Sequence, residues 1–298
     1  MNPIDRDEWI DGVLSQVILA LARNAQLRAA LIFKGARILA MHLGDDRKSL
    51  DLDSNLAPIE SLNGINREDA AAFLQDNIRK AVDQYFESQN PVRFQVDNVK
   101  VRVKPSMAHP MGWDGYEVLI SLRDSVHLEV KGLPPIPVEV ATMEPLGQEA
   151  VVELPLEAGV SVKCFALHRI AAEKLRAFLQ SLPPYCAKFK RPFRAPRVKD
   201  LYDLAQIMRA NAIGESKFWD AVSTEFVLAC KSRKVDCDGI DSFREAWTDT
   251  KEQYESDRSL GRIPLGEAES ALVQIVRYLE RHNIFPLHFP LPANDKHI

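Results

Sequence analysis

The sequence predicts an α+β protein: a mixed sheet with helices in residues 1–150, followed by an all-helical C-terminal lobe in 151–298. Period-two alternation recurs between residues 50 and 140, whereas from residue 167 onward apolar positions fall at helical spacing. No period of about 20–50 residues repeats, which excludes a solenoid. The 298 residues, 46% hydrophobic and 27% charged, are ordinary for a globular chain and suffice for two domains or one large one.

Taken in order, residues 5–31 carry Trp9, Ile10, Val13, Leu14, Val17, Ile18 and Leu21 at helical spacing and predict a long amphipathic helix. Leu31-Ile32-Phe33 then runs into Lys34-Gly35, and Ile38-Leu39-Ala40-Met41 starts a further helix. After a polar turn at 44–48, Leu50 and Leu52 alternate with Asp51 and Asp53, predicting a strand with both carboxylates on one face. A helix is expected at 66–88, and period-two stretches lie at 92–104 and within 116–123 and 126–131. A short strand, Val138-Glu139-Val140, follows the break Pro134-Pro135-Ile136-Pro137. The second half predicts helices at 167–181, 198–210, 216–233, 240–256 and 265–282, with a connection rich in Pro and bases after the first. The polar end, 292–298, reads as a loose tail.

Bulk properties exclude several classes. A formal net charge of −4 creates no global field for nucleic acid, so a polyanionic substrate needs a local basic patch. No apolar run approaches the roughly 20 residues of a membrane span. The start, Met1-Asn-Pro-Ile-Asp-Arg-Asp-Glu, is polar and acidic, unlike a signal peptide. Cys164, Cys186, Cys230 and Cys237 form no C-x-x-C pair and read as free thiols of a cytoplasmic protein.

The chemistry centres on Asp51 and Asp53. Two carboxylates one residue apart on a strand offer a pair of hard oxygen ligands, the kind Mg²⁺ takes alongside water and substrate phosphates. By itself such a pair is as readily a solvated strand edge. Lys34-Gly35 precedes a helix whose N-terminus can receive phosphate oxygens, though Lys34 also reads as a helix-flanking charge. Glu139, between β-branched neighbours, is a third carboxylate or a solvent-facing side chain. In the second half, Lys174 stands in a small, apolar helical stripe with Ile170 and Ala177. Lys188, Lys190, Arg191, Arg194, Arg197 and Lys199, interleaved with Phe189 and Phe193, form a phosphate- or RNA-facing patch or a solvated basic loop. Asp200, near a helix start, also serves as a cap or dipole partner.

Lys34-Gly35-Ala36, Arg47-Lys-Ser49-Leu-Asp51-Leu-Asp53, Ala172-Glu-Lys174-Leu-Arg-Ala177 and Arg197-Val-Lys199-Asp200-Leu-Tyr-Asp203 resemble, in order and spacing, the motifs of the AbiEii/AbiGii nucleotidyltransferase toxins, within the DNA polymerase β-like superfamily. The resemblance spans roughly residues 28–210. It implies a nucleotidyltransferase core with a metal site in 1–150 and a helical lobe in 151–298 that closes over the nucleotide. It also implies transfer of NMP from an NTP to an acceptor such as a tRNA 3′ end, in a toxin–antitoxin or phage-defence module with an antitoxin encoded nearby. By the same resemblance Asp51, Asp53 and Glu139 bind Mg²⁺ (or Mn²⁺), and Glu139 is the candidate general base. Lys174 contacts the triphosphate, and Asp200 with Arg197 and Lys199 completes the nucleotide side. Lys34 and Gly35 serve the phosphates, and Ser49 holds a phosphate or orients Asp51.

One departure stands out: Ala36-Arg37 replaces the family's second Gly and its Ser or Thr, and Arg37 offers a charge-assisted contact instead of a hydroxyl. That loss keeps two alternatives open: a weakened nucleotide-binding or regulatory protein on the same scaffold, and a nucleotidyltransferase acting on a small molecule.

Overall fold

A computed structural model describes residues 5–45, 48–109, 111–127, 132–157 and 159–291. The expected tail at 292–298, Arg47, and most of the period-two stretch 126–131 lie outside the described residues. The chain divides into two units, residues 1–144 with 151–165, and residues 145–150 with 166–298.

The first unit opens with helix α1 (Arg6–Arg23). The single long helix expected over 5–31 is broken at Asn24, whose side chain accepts from the amides of Gln26 and Leu27 and so starts α2 (Ala25–Ala30). Then follow β1 (Leu31–Lys34), α3 (Gly35–Leu43), β2 (Leu52–Leu56) and α4 (Arg67–Glu87). Strands β3 (Phe94–Lys104), β4 (Gly115–Asp124), β5 (Ile136–Ala141), β6 (Val151–Glu157) and β7 (Val160–Phe165) complete the unit.

The seven strands form one mixed sheet in the order β3-β4-β5-β2-β1-β7-β6. Among the described residues, β2/β5 and β1/β7 pair in parallel and the other neighbours antiparallel. Tyr116, Val118 and Ile120 of β4 and Ile136, Val138 and Val140 of β5 are buried, while their neighbours Glu117 and Glu139 point to the other face, as pleating requires. Helices α1 and α4 supply the apolar cover, with Trp9 and Phe86 closing on Phe94 at ring separations of 6.4 and 5.1 Å.

Val151–Glu157 and Val160–Phe165, read from the sequence as part of the helical lobe, instead form the paired strands β6 and β7 of this sheet. Their alternation is short and Pro155 argues against a central strand. That proline is tolerated because β6 lies at the sheet's edge.

The second unit is helical: α5 (Leu167–Gln180), α6 (Pro183–Lys188), α7 (Val198–Ala210), α8 (Ser216–Arg233), α9 (Ile240–Arg244), α10 (Trp247–Ser256) and α11 (Leu265–Arg281). The helix expected over 240–256 is split by Glu245 and by Ala246, which adopts φ 56°. Phe178, Phe226, Phe243 and Trp219 are fully buried at its centre.

Candidate active site

The β1–α3 turn and β2 build the site in the first unit. Lys34 is extended and precedes α3 without a side-chain cap, and Gly35 turns the chain at φ +81°. A Cβ on Gly35 would stand 2.1 Å from Asp53 Oδ2, so only glycine admits both the backbone angle and the carboxylate. Asp53 is therefore seated against the first residue of α3, where exposed amides and the helix dipole favour a negative group. That contact is the physical reason for the glycine upstream of the aspartates. The Lys34 ammonium lies 5.7 Å from the centre of the Phe165 ring, within cation–π range.

Sheet register assembles a row of charge across this face. Lys34 opposes Asp53, Asp53 stands beside Glu139 on the parallel β5, Glu139 opposes Glu117, and Glu117 opposes Arg102. Neighbouring strands are about 4.8 Å apart. Glu139, which carried no motif in the sequence, is thus brought beside Asp53 by strand pairing alone. Glu117 was missed, because nothing local marks it.

Asp51 departs from the expected strand position. Strand β2 begins at Leu52, and Asp51 sits in the bend before it. The Ser49 hydroxyl donates to the Asp51 carbonyl at 3.0 Å or its Oδ1 at 3.1 Å, which gives Ser49 an orienting role. Arg37 braces the same bend from behind. Its guanidinium donates to Asp11 Oδ1 at 2.5 Å, Ser15 Oγ at 3.0 Å and the Ser49 carbonyl at 3.2 Å, while Asp11 Oδ1 also accepts from the Ser49 amide at 3.0 Å. Arg37, expected at the nucleotide, is thus tied to α1 and to the loop carrying Asp51. Asp11 and Ser15 went unnoticed, although their i, i+4 spacing on one helix face was a readable signal.

Among the described residues, no group of three or more His, Cys, Asp or Glu side chains is gathered tightly enough to hold a metal by itself. The donors nonetheless suit a hard divalent ion of the Mg²⁺ type, which binds through one or two carboxylates and fills its shell with water and phosphate oxygens. Asp53, cradled by Gly35, and Asp51, oriented by Ser49, are such a pair.

The second unit holds the other expected residues. Lys174 on α5 bridges Asp200 Oδ1 at 3.0 Å and Asp203 Oδ2 at 2.6 Å on α7, with the two carboxylates 1% and 0% exposed. Burial alone would lower the Lys174 pKa, but the two carboxylates outweigh it and raise it. Burial would likewise raise that of Asp200, but Lys174 and Arg197 hold it below the ordinary carboxylate value. Arg197 Nε donates to Asp200 Oδ2 at 2.7 Å, while Lys199 is exposed. This cluster fastens α5 to α7.

The basic stretch divides in two. Lys188 is consumed structurally, donating to the carbonyls of Lys234 and Phe289, both at 2.8 Å, and to Asp236 at 2.6 Å. Lys190, Arg191, Arg194, Arg197 and Lys199 are exposed. The four cysteines are free, as expected, and burial pushes the thiols of Cys164 and Cys237 up to about 12, too high for nucleophiles at neutral pH.

Comparison with known proteins gives a family and a fold. The model of a family described as nucleotidyl transferase AbiEii toxin, type IV toxin–antitoxin system, matches residues 19–276. A candidate nucleotidyltransferase from Helicobacter pylori superposes with a TM-score of 0.52 at 13% identity, over 94% of this chain and 97% of that one. JHP933 from Helicobacter pylori gives 0.50 at 14% identity, over 95% and 97%. At such identities the likeness is one of fold. A search of curated proteins gives no match.

Proposed function

The chain belongs to the AbiEii family of nucleotidyltransferase toxins of type IV toxin–antitoxin systems, and from that premise we propose a Mg²⁺-dependent transfer of NMP from an NTP to an RNA 3′ end. The observation that carries this reading is the seating of Asp53 against Gly35 with Glu139 beside it in register. Asp51 and Asp53 would hold the divalent ion, with Glu139 as the third carboxylate. Such an ion would supply charge neutralisation at the triphosphate and activation of the attacking hydroxyl.

The chain's own side chains then divide the remaining work. Glu139 Oε takes the proton of the acceptor hydroxyl as its oxygen bonds to the α-phosphorus, and the bond from that phosphorus to the β-phosphate oxygen breaks to release pyrophosphate. Gly35 and the start of α3 receive phosphate oxygens, with Lys34 supplying charge. Ser49 and Arg37 keep the Asp51 bend in place. By family resemblance Lys174, Asp200, Arg197 and Lys199 serve the nucleotide. The acceptor is a tRNA, the setting is phage defence, and the cognate antitoxin is the partner; catalysis is chiefly positioning and charge neutralisation.

The test is incubation with each α-labelled NTP and total RNA, with Asp51→Ala in parallel. Labelled RNA with the parent protein and none with the variant is the expected outcome; equal labelling by both removes the assignment.

A second reading, a nucleotide-binding regulator with weakened catalysis, is favoured by one observation. Arg37 stands where the family has a hydroxyl, and its guanidinium is engaged by Asp11. NTP binding without pyrophosphate release under Mg²⁺ or Mn²⁺ would establish that reading in place of the first.

A further inference from the structure

The β3–β4 hairpin carries a basic strip on the same sheet face as Glu117, Glu139 and Asp53. After a register shift between Val96 and Asn98, Lys100, Arg102 and Lys104 recur at every second residue of β3 and oppose Leu119, Glu117 and Gly115. All three are exposed, the Arg102 and Lys104 side chains to 54% and 57%. Their spacing along the strand is about 7 Å (two residues at ~3.4 Å), close to the phosphate repeat of an extended polynucleotide. Three strand spacings, about 14 Å, separate the row of β3 from that of β2.

Lysines beside a sheet edge commonly serve to prevent edge-to-edge pairing. Here the edge already has other cover: Gln75 of α4 accepts from the Val101 amide at 3.4 Å, and α4 packs along β3. Glu117 sits between the cations and the catalytic row, taking Lys104 at 2.6 Å and Arg102 at 3.5 Å. Both cations therefore share one carboxylate. The loop after Lys104 carries His109 and Trp113, half-buried and with rings stacked at 5.0 Å, and aromatic rings beside a basic groove are a recurring feature of single-strand binding.

Resting on the transferase reading above, we propose that this strip is the track for a single-stranded polynucleotide acceptor, with Lys100, Arg102 and Lys104 each holding one backbone phosphate. The acceptor lies along β3 and its 3′ end crosses β4 and β5 toward Asp53.

The experiment titrates a short, 5′-labelled single-stranded RNA against the full chain from about 50 to 200 mM salt, following anisotropy. The combined variant Lys100→Gln/Arg102→Gln/Lys104→Gln is expected to lower the slope of log affinity against log salt by about 2, from about 0.7 per phosphate lost. Its thermal shift with NTP should remain that of the parent. Glu117→Gln removes the competing carboxylate and is expected to tighten RNA binding several-fold, an effect that misfolding cannot mimic.

An unchanged slope in the triple variant overturns the proposal, as does a parent protein that binds no RNA while still responding to NTP. A slope lost instead in Lys190→Gln/Arg191→Gln/Arg194→Gln also overturns it and moves the track to the second unit. Failure of the transferase reading shows separately, as no NTP response and no pyrophosphate release in the parent protein.

Discussion

In the first unit, Asp53 and Glu139 stand side by side on a sheet face, half-buried and exposed, with Glu117 next in the row. In the second, Asp200 and Asp203 are buried with Lys174 between them, and Arg197 closes the outer side. The adjacency of Asp53 and Glu139 gains nothing for folding, because neighbouring carboxylates repel. It persists where a cation or a reacting group uses it. A buried, fully paired cluster does the opposite: each charge satisfies another, and the fold depends on all of them. The difference separates carboxylates ranged beside one another on an open face from carboxylates already answered by a lysine within the fold, although both regions carry the same side-chain types.

Paired substitutions break that contrast most directly. Asp53→Ala should cut NTP-dependent labelling at least about a hundred-fold, the scale of losing one electrostatic contact to the transition state, and leave the melting temperature near that of the parent. Lys174→Met should destabilise by about 3–5 kcal/mol in urea unfolding, because it strands two buried carboxylates. Should Asp53→Ala unfold the chain while Lys174→Met leaves stability intact, the contrast is wrong.

Gly35→Ala tests whether the site was built at the backbone's expense. Strain at φ +81° and collision with Asp53 Oδ2 should cost about 1–3 kcal/mol and displace the carboxylate, so that activity and stability fall together. A variant with parental activity would show that Asp53 is not held there. Arg37→Met should lower turnover about ten-fold by loosening the Asp51 bend, less than the roughly 10² that a 1 Å misplacement can cost. An unchanged NTP thermal shift in that variant would confirm that Arg37 positions Asp51 and touches no phosphate.

The smallest effect is one of pH. Asp200 is held below its ordinary value of 3.8, so the folded state gives up this proton more readily than the unfolded chain. Its stabilising contribution is complete above that value and is lost as the pH falls through the lower folded one. Urea midpoints of the parent should therefore drop below about pH 4 more steeply than those of Asp200→Asn. Parallel curves would remove Asp200 from the charge cluster.

Most of the second unit was legible from period alone: the helices expected at 198–210 and 216–233 are α7 and α8. The β6–β7 pair was not, because a two-stranded edge with a proline carries too little alternation to outweigh the helices that follow. In the site, the Lys-Gly and Asp-x-Asp motifs were visible as residue types. Asp51, expected on the strand, lies just ahead of it, because β2 begins at Leu52.

The sequence by itself determined which residues can carry the chemistry: glycine for a left-handed turn, paired acids for a hard cation, lysine within an apolar stripe. Those are local properties of backbone and side chain. Only the tertiary structure decided which acid stands beside which, because strand register is fixed by pairing between segments distant in the chain. It brought Glu139 to Asp53, tied Arg37 to Asp11, and turned the lysine and aspartates of the second unit into a mutually satisfied cluster.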